Sequence, residues 1–99
     1  MPMNIQSATP SVRHDPATRR FLAEADGEQA ELSYRLEGGL MLIDHTLVPQ
    51  AIGGRGIAGE LVRTAFEHAR QAGLRVVPAC PYAATWVTRH PEFADTLAG

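Results

Sequence analysis

The chain has 99 residues, of which 44% are hydrophobic and 20% are charged, and its formal net charge is −2. This length suits one small domain, the hydrophobic fraction argues against intrinsic disorder, and the lack of a basic excess argues against a general binder of nucleic acid or anionic membranes. A single cysteine excludes an internal disulfide and an all-cysteine zinc site, the four histidines show no metal-ligand spacing, and no segment approaches the ~18 apolar residues of a membrane span.

Residues 1–15 are polar, contain prolines and show no hydrophobic period. They predict a flexible N-terminal arm, or at most one short edge strand, ahead of a single domain at residues 16–99. The same segment lacks the apolar core of a signal peptide, so we expect a cytoplasmic protein.

Three consecutive strands are predicted next. Arg19–Ala25 carries Phe21, Ala23 and Ala25 at alternate positions, and Gln29–Glu37 alternates apolar with polar residues. Asp26–Gly27 between them is typical of a hairpin turn. Gly38–Gly39 marks a second turn, and Leu40–Val48 is a third, more apolar strand. Together they predict an antiparallel meander. Its first strand would be a free edge able to pair between chains, although nothing in the sequence specifies an oligomeric state.

A β-α-β crossover follows the meander. Apolar residues three and four apart predict a helix from about residue 55 to residue 72, with Gly73 as its C-terminal cap. The strand Leu74–Ala79 should then run parallel to the third strand. A second helix at Tyr82–His90, ended by Pro91, and a last turn at residues 92–97 complete an α/β (α+β) fold with a mixed sheet.

The turn before the first helix is rich in glycine and reads GGRGIA at Gly53–Ala58. Glycines allow a sharp turn and let backbone N–H groups approach a ligand, and the start of a helix adds partial positive charge. These properties favour a phosphate or pyrophosphate site, whereas the alternative is an ordinary strand-to-helix turn. The glycine spacing fits neither a P-loop nor the dinucleotide fingerprint.

Three segments together resemble a known family. They are HTLVPQAIGGRGIA (His45–Ala58), LVRTAFEHAR in the predicted first helix, and VVPACPYAATWVTRHPEF toward the end of the chain. This combination resembles the GNAT superfamily of acetyl-CoA-dependent N-acetyltransferases, and more narrowly a minimal GNAT-like subfamily, over roughly Arg19 to Phe93. The resemblance implies a GNAT-like fold, in which the last strand splays from the third strand and admits the pantetheine arm of acetyl-CoA.

The resemblance also implies which residues hold acetyl-CoA. Gly56 and Ala58 match small residues of the family's pyrophosphate-binding pattern. Gly53 stands where the family usually has Gln or Arg, and Arg55 is able to supply the missing positive charge. The implied cofactor-binding residues are Thr46, Leu47, Val48, Gly53, Gly54, Arg55, Gly56, Ile57, Ala58, Gly59 and Cys80.

Cys80 and Tyr82 are candidates for the chemistry. Cys80 is expected where a strand ends and a helix begins, a position that lowers the pKa of a thiol. It suits an acyl-accepting thiolate or a thiol that faces the CoA sulfur, and the alternative is a small buried hydrophobe. Tyr82 either protonates the leaving CoA thiolate or only packs.

His45 is the third candidate. Strand alternation predicts that it shares a face with Met41, Ile43 and Leu47, while Asp44 and Thr46 point to the opposite face. From there it would act as a general base toward an amine or toward the cysteine, and the alternative is a hydrogen-bonded histidine at a strand edge.

The remaining aromatic and histidine residues receive structural interpretations. Trp86 is predicted to be part of the core, His90 to end the second helix, His68 to lie on the solvated face of the first helix, and His14 to lie in the arm.

The sequence therefore predicts an N-acetyltransferase that moves an acetyl group from acetyl-CoA to an amine. The acceptor stays open among a small amine, a protein lysine and a protein N-terminus. Because the domain is short and lacks the extra N-terminal helices that the resemblance would lead us to expect, its acceptor groove should be open. The alternatives are a non-catalytic CoA or acyl-CoA binding module and a protein-interaction domain.

Overall fold

A five-stranded mixed sheet forms the centre of the protein in a computed structural model, which describes residues 11–99. The strands lie in chain order across the sheet, and every neighbouring pair is antiparallel except the last, which is parallel. This confirms the predicted meander, crossover and α/β class. The elements are β1 (Arg13–Asp15), β2 (Arg20–Ala25), β3 (Glu28–Glu37), β4 (Leu40–Leu47), α1 (Ile57–Ala72), β5 (Arg75–Pro78) and α2 (Pro81–Thr88), with 3-10 helices at Gln50–Ile52 and Pro91–Thr96.

Both helices pack on the same face of the sheet. The buried side of α1 carries the apolar residues that the helical period predicts, and Phe66 of α1 meets Trp86 of α2 with ring centroids 5.6 Å apart. Gly56 and Gly73 bound α1 with φ of 77° and 74°, a backbone conformation that glycine adopts without strain. The first of these explains why the helix begins at Ile57 and not near residue 55. No helix within residues 11–99 is long and apolar enough to cross a membrane.

The N-terminal edge of the sheet differs from the first expectation. Arg13–Asp15 pairs antiparallel with β2, so ordered structure begins before Arg19 and the second possibility, a short edge strand, is the one observed. Consequently β2 is not the free edge that the sequence predicted. Residues 1–10 lie outside the described part of the chain, and the flexible arm stays a prediction there.

A bulge in β4 changes the predicted faces of that strand. Tyr34 pairs with Ile43 and Ser33 pairs with His45, which leaves Asp44 as an extra residue. A bulge shifts every following side chain to the other face of the sheet. The prediction that His45 shares a face with Ile43 is therefore wrong.

The bulge also turns Thr46 inward. Thr46 pairs with the fully buried Leu32, so it lies on the helix-covered face of the sheet, whereas the prediction placed it on the opposite face. Leu47 pairs with Glu31 and lies on the other, polar face, not on the face of Met41.

Two histidines that the sequence left in solvent pack together at the N-terminal edge. The ring of His14 stacks on Phe21 at 4.3 Å between centroids and hydrogen-bonds the hydroxyl of Tyr34. The ring of His68 in α1 meets the His14 ring edge-on, with 4.3 Å between the ring centroids. The predictions of a solvated His68 and of His14 in a loose arm are wrong, because β1 pairs with β2 and its His14 contacts His68 of α1.

This packing lowers the pKa of His14 below its ordinary value of 6.5. Burial of the ring is the main cause, the neighbouring His68 adds to it, and the carboxylate of Asp15 opposes it. The unfolded chain therefore binds a proton at His14 more readily than the folded chain. The free energy of unfolding should be fully maintained above pH 6.5 and should decrease as the pH falls from 6.5 through the lower pKa of the folded state.

Replacing His14 by Phe tests this linkage, because the phenyl ring keeps the stacking on Phe21 but does not titrate. Urea unfolding at pH 7.5 and pH 5, values chosen about one unit or more on either side of an ordinary histidine pKa, should show a smaller loss of stability in His14→Phe than in the wild type. His45→Gln, a change at an exposed histidine on the polar face of the sheet, should retain the wild-type loss. An equal loss in all three proteins would contradict the assignment to His14.

Candidate active site

A cleft opens where β4 and β5 separate. Their pairing ends at Ile43 and Pro78, and the backbone N–H of Cys80 donates to the carbonyl of Ile43 at 2.9 Å. Beyond this point the chain turns into α2, while β4 continues to Leu47. The resulting cleft has a volume of about 390 Å³ and is lined by residues 44–47 of β4, by Glu31 of β3, and by Cys80 and Pro81.

Cys80 lies in the cleft at the start of α2. Its side chain is only 6% exposed, and its sulfur lies 3.5 Å from the hydroxyl oxygen of Thr46, the residue that the β4 bulge turns inward. Pro81 occupies the first position of the helix, as the sequence predicted, and its fixed φ suits that position.

The surroundings of the sulfur favour its ionised form. Burial raises the pKa of Cys80, but the Thr46 hydroxyl and the backbone amides of Ala83, Tyr82 and Thr46 lower it, and the net pKa lies below the ordinary value. Two of these amides belong to the first turn of α2, and the hydroxyl comes from β4. The contact with Thr46 was not predictable from the sequence, because the bulge that creates it has no local sequence marker.

His45 lines the same cleft, but from the polar face of the sheet. It is exposed and stands opposite Ser33. The structure therefore brings His45 and Cys80 to one cleft from two sides of the sheet.

The acidic residues of the cleft already have partners. Asp44 receives two hydrogen bonds from the Arg35 guanidinium, at 2.9 and 3.1 Å, and Arg20 pairs with Glu31 at 2.9 Å. The Arg35 guanidinium lowers the pKa of Asp44. Within residues 11–99 no three potential metal ligands are grouped together.

The side chain of Tyr82 lies outside the cleft. Its ring is 43% exposed, and among residues 11–99 it does not contribute to the lining of the cleft. Its hydroxyl instead lies on the side of α1, 3.5 Å from the position that a Cβ on Gly59 would take. Val48 is partly buried against the core, whereas Leu47 is 61% exposed at the mouth of the cleft.

The glycine-rich turn presents backbone donors at the start of α1. Gly54 and Gly56 both have φ of 77°, and the first bond within the helix runs from the N–H of Glu60 to the carbonyl of Gly56 at 3.1 Å. The N–H groups of residues 57–59 therefore precede the helical hydrogen-bond ladder, and no side chain of the described residues caps them. Gly53 has φ of −68°, a conformation open to any residue.

Arg55 does not project freely from this turn. Its guanidinium pairs at 2.6 Å with the carboxylate of Asp26, which lies in the turn between β2 and β3. The positive charge that the sequence offered for a ligand is thus already shared with a carboxylate.

The thiol environment leads to a direct test. Thr46→Val removes the hydroxyl beside the sulfur while keeping the shape of the side chain, so the pKa of Cys80 should rise. The ultraviolet absorbance of the thiolate is measured against pH as the difference from the same protein with Cys80→Ala, which removes the signal of the two tyrosines and leaves that of the one cysteine. Thr88→Val, at an exposed threonine of α2 whose hydroxyl bonds the carbonyl of Thr85, is the matched control and should leave the curve unchanged. An unchanged curve in Thr46→Val would contradict the role assigned to the hydroxyl.

Comparisons with known proteins agree with this architecture. Protein NATD1 of Bos taurus is 34% identical over 83 residues, which cover 81% of this chain and 74% of the relative. Protein NATD1 of Homo sapiens is 32% identical over 83 residues, covering 81% and 74%.

A solved structure and a family sequence model complete the comparison. The solution structure of a GCN5-like protein from Staphylococcus aureus superposes with a TM-score of 0.71 at 26% identity, covering 90% of this chain and 88% of the other. The sequence model described as GCN5-related N-acetyl-transferase matches residues 20–96, which include all of β2 to α2. The chain therefore belongs to the GCN5-related N-acetyltransferase family.

Proposed function

We propose that this protein transfers an acetyl group from acetyl-CoA to an amine. The observation that carries the proposal is the position of two helix starts around one strand separation. The start of α1 offers backbone N–H groups that have no cap among residues 11–99, and the start of α2 holds a cysteine whose surroundings lower the pKa of its thiol. Family membership supports the same reaction class.

The residues at the start of α1 fit the pyrophosphate of CoA. The N–H groups of Ile57, Ala58 and Gly59 lack acceptors in the helix, and the partial positive charge of the helix start favours an anion. The left-handed backbone at Gly54 and Gly56 forms the turn that exposes these groups. When bound, acetyl-CoA supplies an acetyl group activated as a thioester.

The cleft would hold the reacting groups. Cys80 presents its sulfur to the cleft, and His45 stands at the rim, where an exposed imidazole is able to take the proton of an incoming amine. Both carboxylates that line the cleft are paired with arginines, so the mouth of the cleft carries little net charge.

The acceptor that suits this arrangement is an exposed amine of a peptide or protein. Both helices lie on one face of the sheet, and the cleft opens toward the other face beside His45 and the exposed Leu47. An open mouth imposes few steric limits on a large acceptor.

Adding a negative charge to the proposed pyrophosphate site tests the cofactor. Ala58→Glu places a carboxylate in the first turn of α1, where it is favourable to the helix but repels an anion. Calorimetric titration with acetyl-CoA should show micromolar binding to the wild type and a loss of about tenfold or more in the variant. Ala72→Glu adds the same charge at the opposite end of α1 and should bind like the wild type. Equal affinities in both variants would contradict the proposed site, and no binding to the wild type would contradict the use of acetyl-CoA.

Because Cys80 lines the cleft and its surroundings lower the pKa of the thiol, we propose that its sulfur forms a bond to the acetyl group as CoA leaves, and that the amine then takes the acetyl group as the Cys80 thiolate leaves. Incubation with acetyl-CoA in the absence of an amine should add the mass of one acetyl group to the wild type and nothing to Cys80→Ala. Loss of acetyl transfer to a lysine peptide in Cys80→Ala would support this route. Retained transfer would show that the amine attacks acetyl-CoA directly, and binding without transfer in the wild type would favour the non-catalytic CoA-binding module.

A further inference from the structure

Trp86 is a core residue whose indole N–H is a buried hydrogen-bond donor. Its side chain is 6% exposed and packs against the rings of Phe66 and Phe93, each at 5.6 Å, while His90 stacks on it at 3.8 Å. The ring thus forms part of the core, as the sequence predicts. A core role does not account for the indole N–H, because that group is a hydrogen-bond donor.

The indole N–H has no acceptor within residues 11–99. Buried donors almost always have a partner, so an unpaired one in a native protein calls for a specific explanation. The nitrogen lies 3.5 Å from the position that a Cβ on Gly59 would occupy. The nitrogen therefore lies beside the first turn of α1, at a residue that carries no side chain.

The hydroxyl of Tyr82 converges on the same point, also at 3.5 Å. No hydrogen bond joins it to the indole among the described residues. Gly59 itself contributes a backbone N–H that precedes the helical ladder of α1. We define the Gly59 notch as the space bounded by Gly59, Tyr82 and Trp86. Two side-chain donors thus lie beside a place that any side chain at residue 59 would occupy.

We infer that the Gly59 notch receives a pyrophosphate oxygen of CoA, to which the indole N–H of Trp86 donates a hydrogen bond. The inference rests on the proposed function, because the notch adjoins the backbone amides assigned to the pyrophosphate. It adds a buried side-chain donor to a site otherwise made of backbone groups. It also gives Gly59 a role that its ordinary helical backbone does not require.

The single tryptophan makes the test specific, because the protein has one indole N–H signal in a proton–nitrogen correlation spectrum. Addition of CoA should move this signal downfield, as expected for a new hydrogen bond to a charged acceptor. Pantetheine, which lacks the phosphates, should leave it in place at the same concentration. A shift with pantetheine as large as with CoA would overturn the assignment to the pyrophosphate.

Two variants separate the donor from the packing. Trp86→Phe keeps an aromatic ring in the core and removes the N–H, so its affinity for CoA should fall about tenfold. Gly59→Ala fills the notch with a methyl group in ordinary van der Waals contact with both polar atoms, and alanine suits a helix, so the fold should remain while affinity falls. Thr85→Ala, at an exposed position of α2, should bind CoA like the wild type.

The two proposals fail in different ways. If the wild type binds CoA in calorimetry but its indole signal does not move and Trp86→Phe binds equally well, the notch is only part of the core and the proposed function stands. If the wild type does not bind CoA at all, the proposed function fails and this inference fails with it.

Discussion

The separation of β4 from β5 is the constraint on which the rest of the candidate site depends. The two strands pair in parallel up to Ile43, and the cleft exists because pairing stops there. The bulge at Asp44 lies immediately after this point, so the strand changes the direction of its side chains where it loses its neighbour. Arg35 holds Asp44 through two hydrogen bonds and so fixes the extra residue on the polar face.

The bulge has a chemical consequence as well as a geometric one. Without it, strict alternation would leave Thr46 on the polar face, and Cys80 would lose the hydroxyl that lies 3.5 Å from its sulfur. With it, a side chain from β4 and backbone amides of α2 act on one sulfur. The thiol is thereby both buried and biased toward ionisation, a combination that a helix start alone does not provide.

Patterns of local origin were predictable from the sequence. The period of two identified β2 and β3, and the period of about 3.6 between Gly56 and Gly73 identified α1, because apolar residues recur on the side of each element that joins the core. β1 has three residues, too few for any period to be visible. His68 carried the pattern of a solvent-facing position, and only its contact with His14 of the edge strand β1 partly covers it.

The residues of the candidate site also fall into those that the sequence identified and those that it did not. The glycine turn and Cys80 are marked by residue type and by their positions between elements, so the sequence pointed to them. The face of His45, the inward turn of Thr46 and the unpaired donor of Trp86 depend on a bulge or on contacts between distant segments. Such contacts leave no periodic trace in a single sequence.

The pair formed by Arg55 and Asp26 connects two distant turns of the chain. One belongs to the glycine-rich start of α1 and the other to the β2–β3 hairpin, and both side chains reach the surface. Exposed pairs of this kind contribute only about 0–1 kcal/mol, so the link is easily exchanged for another partner. An anion that settles at the start of α1 competes with Asp26 for the same guanidinium. Binding of an anion at the start of α1 is thereby coupled to the mobility of the β2–β3 hairpin, which the anion itself does not touch.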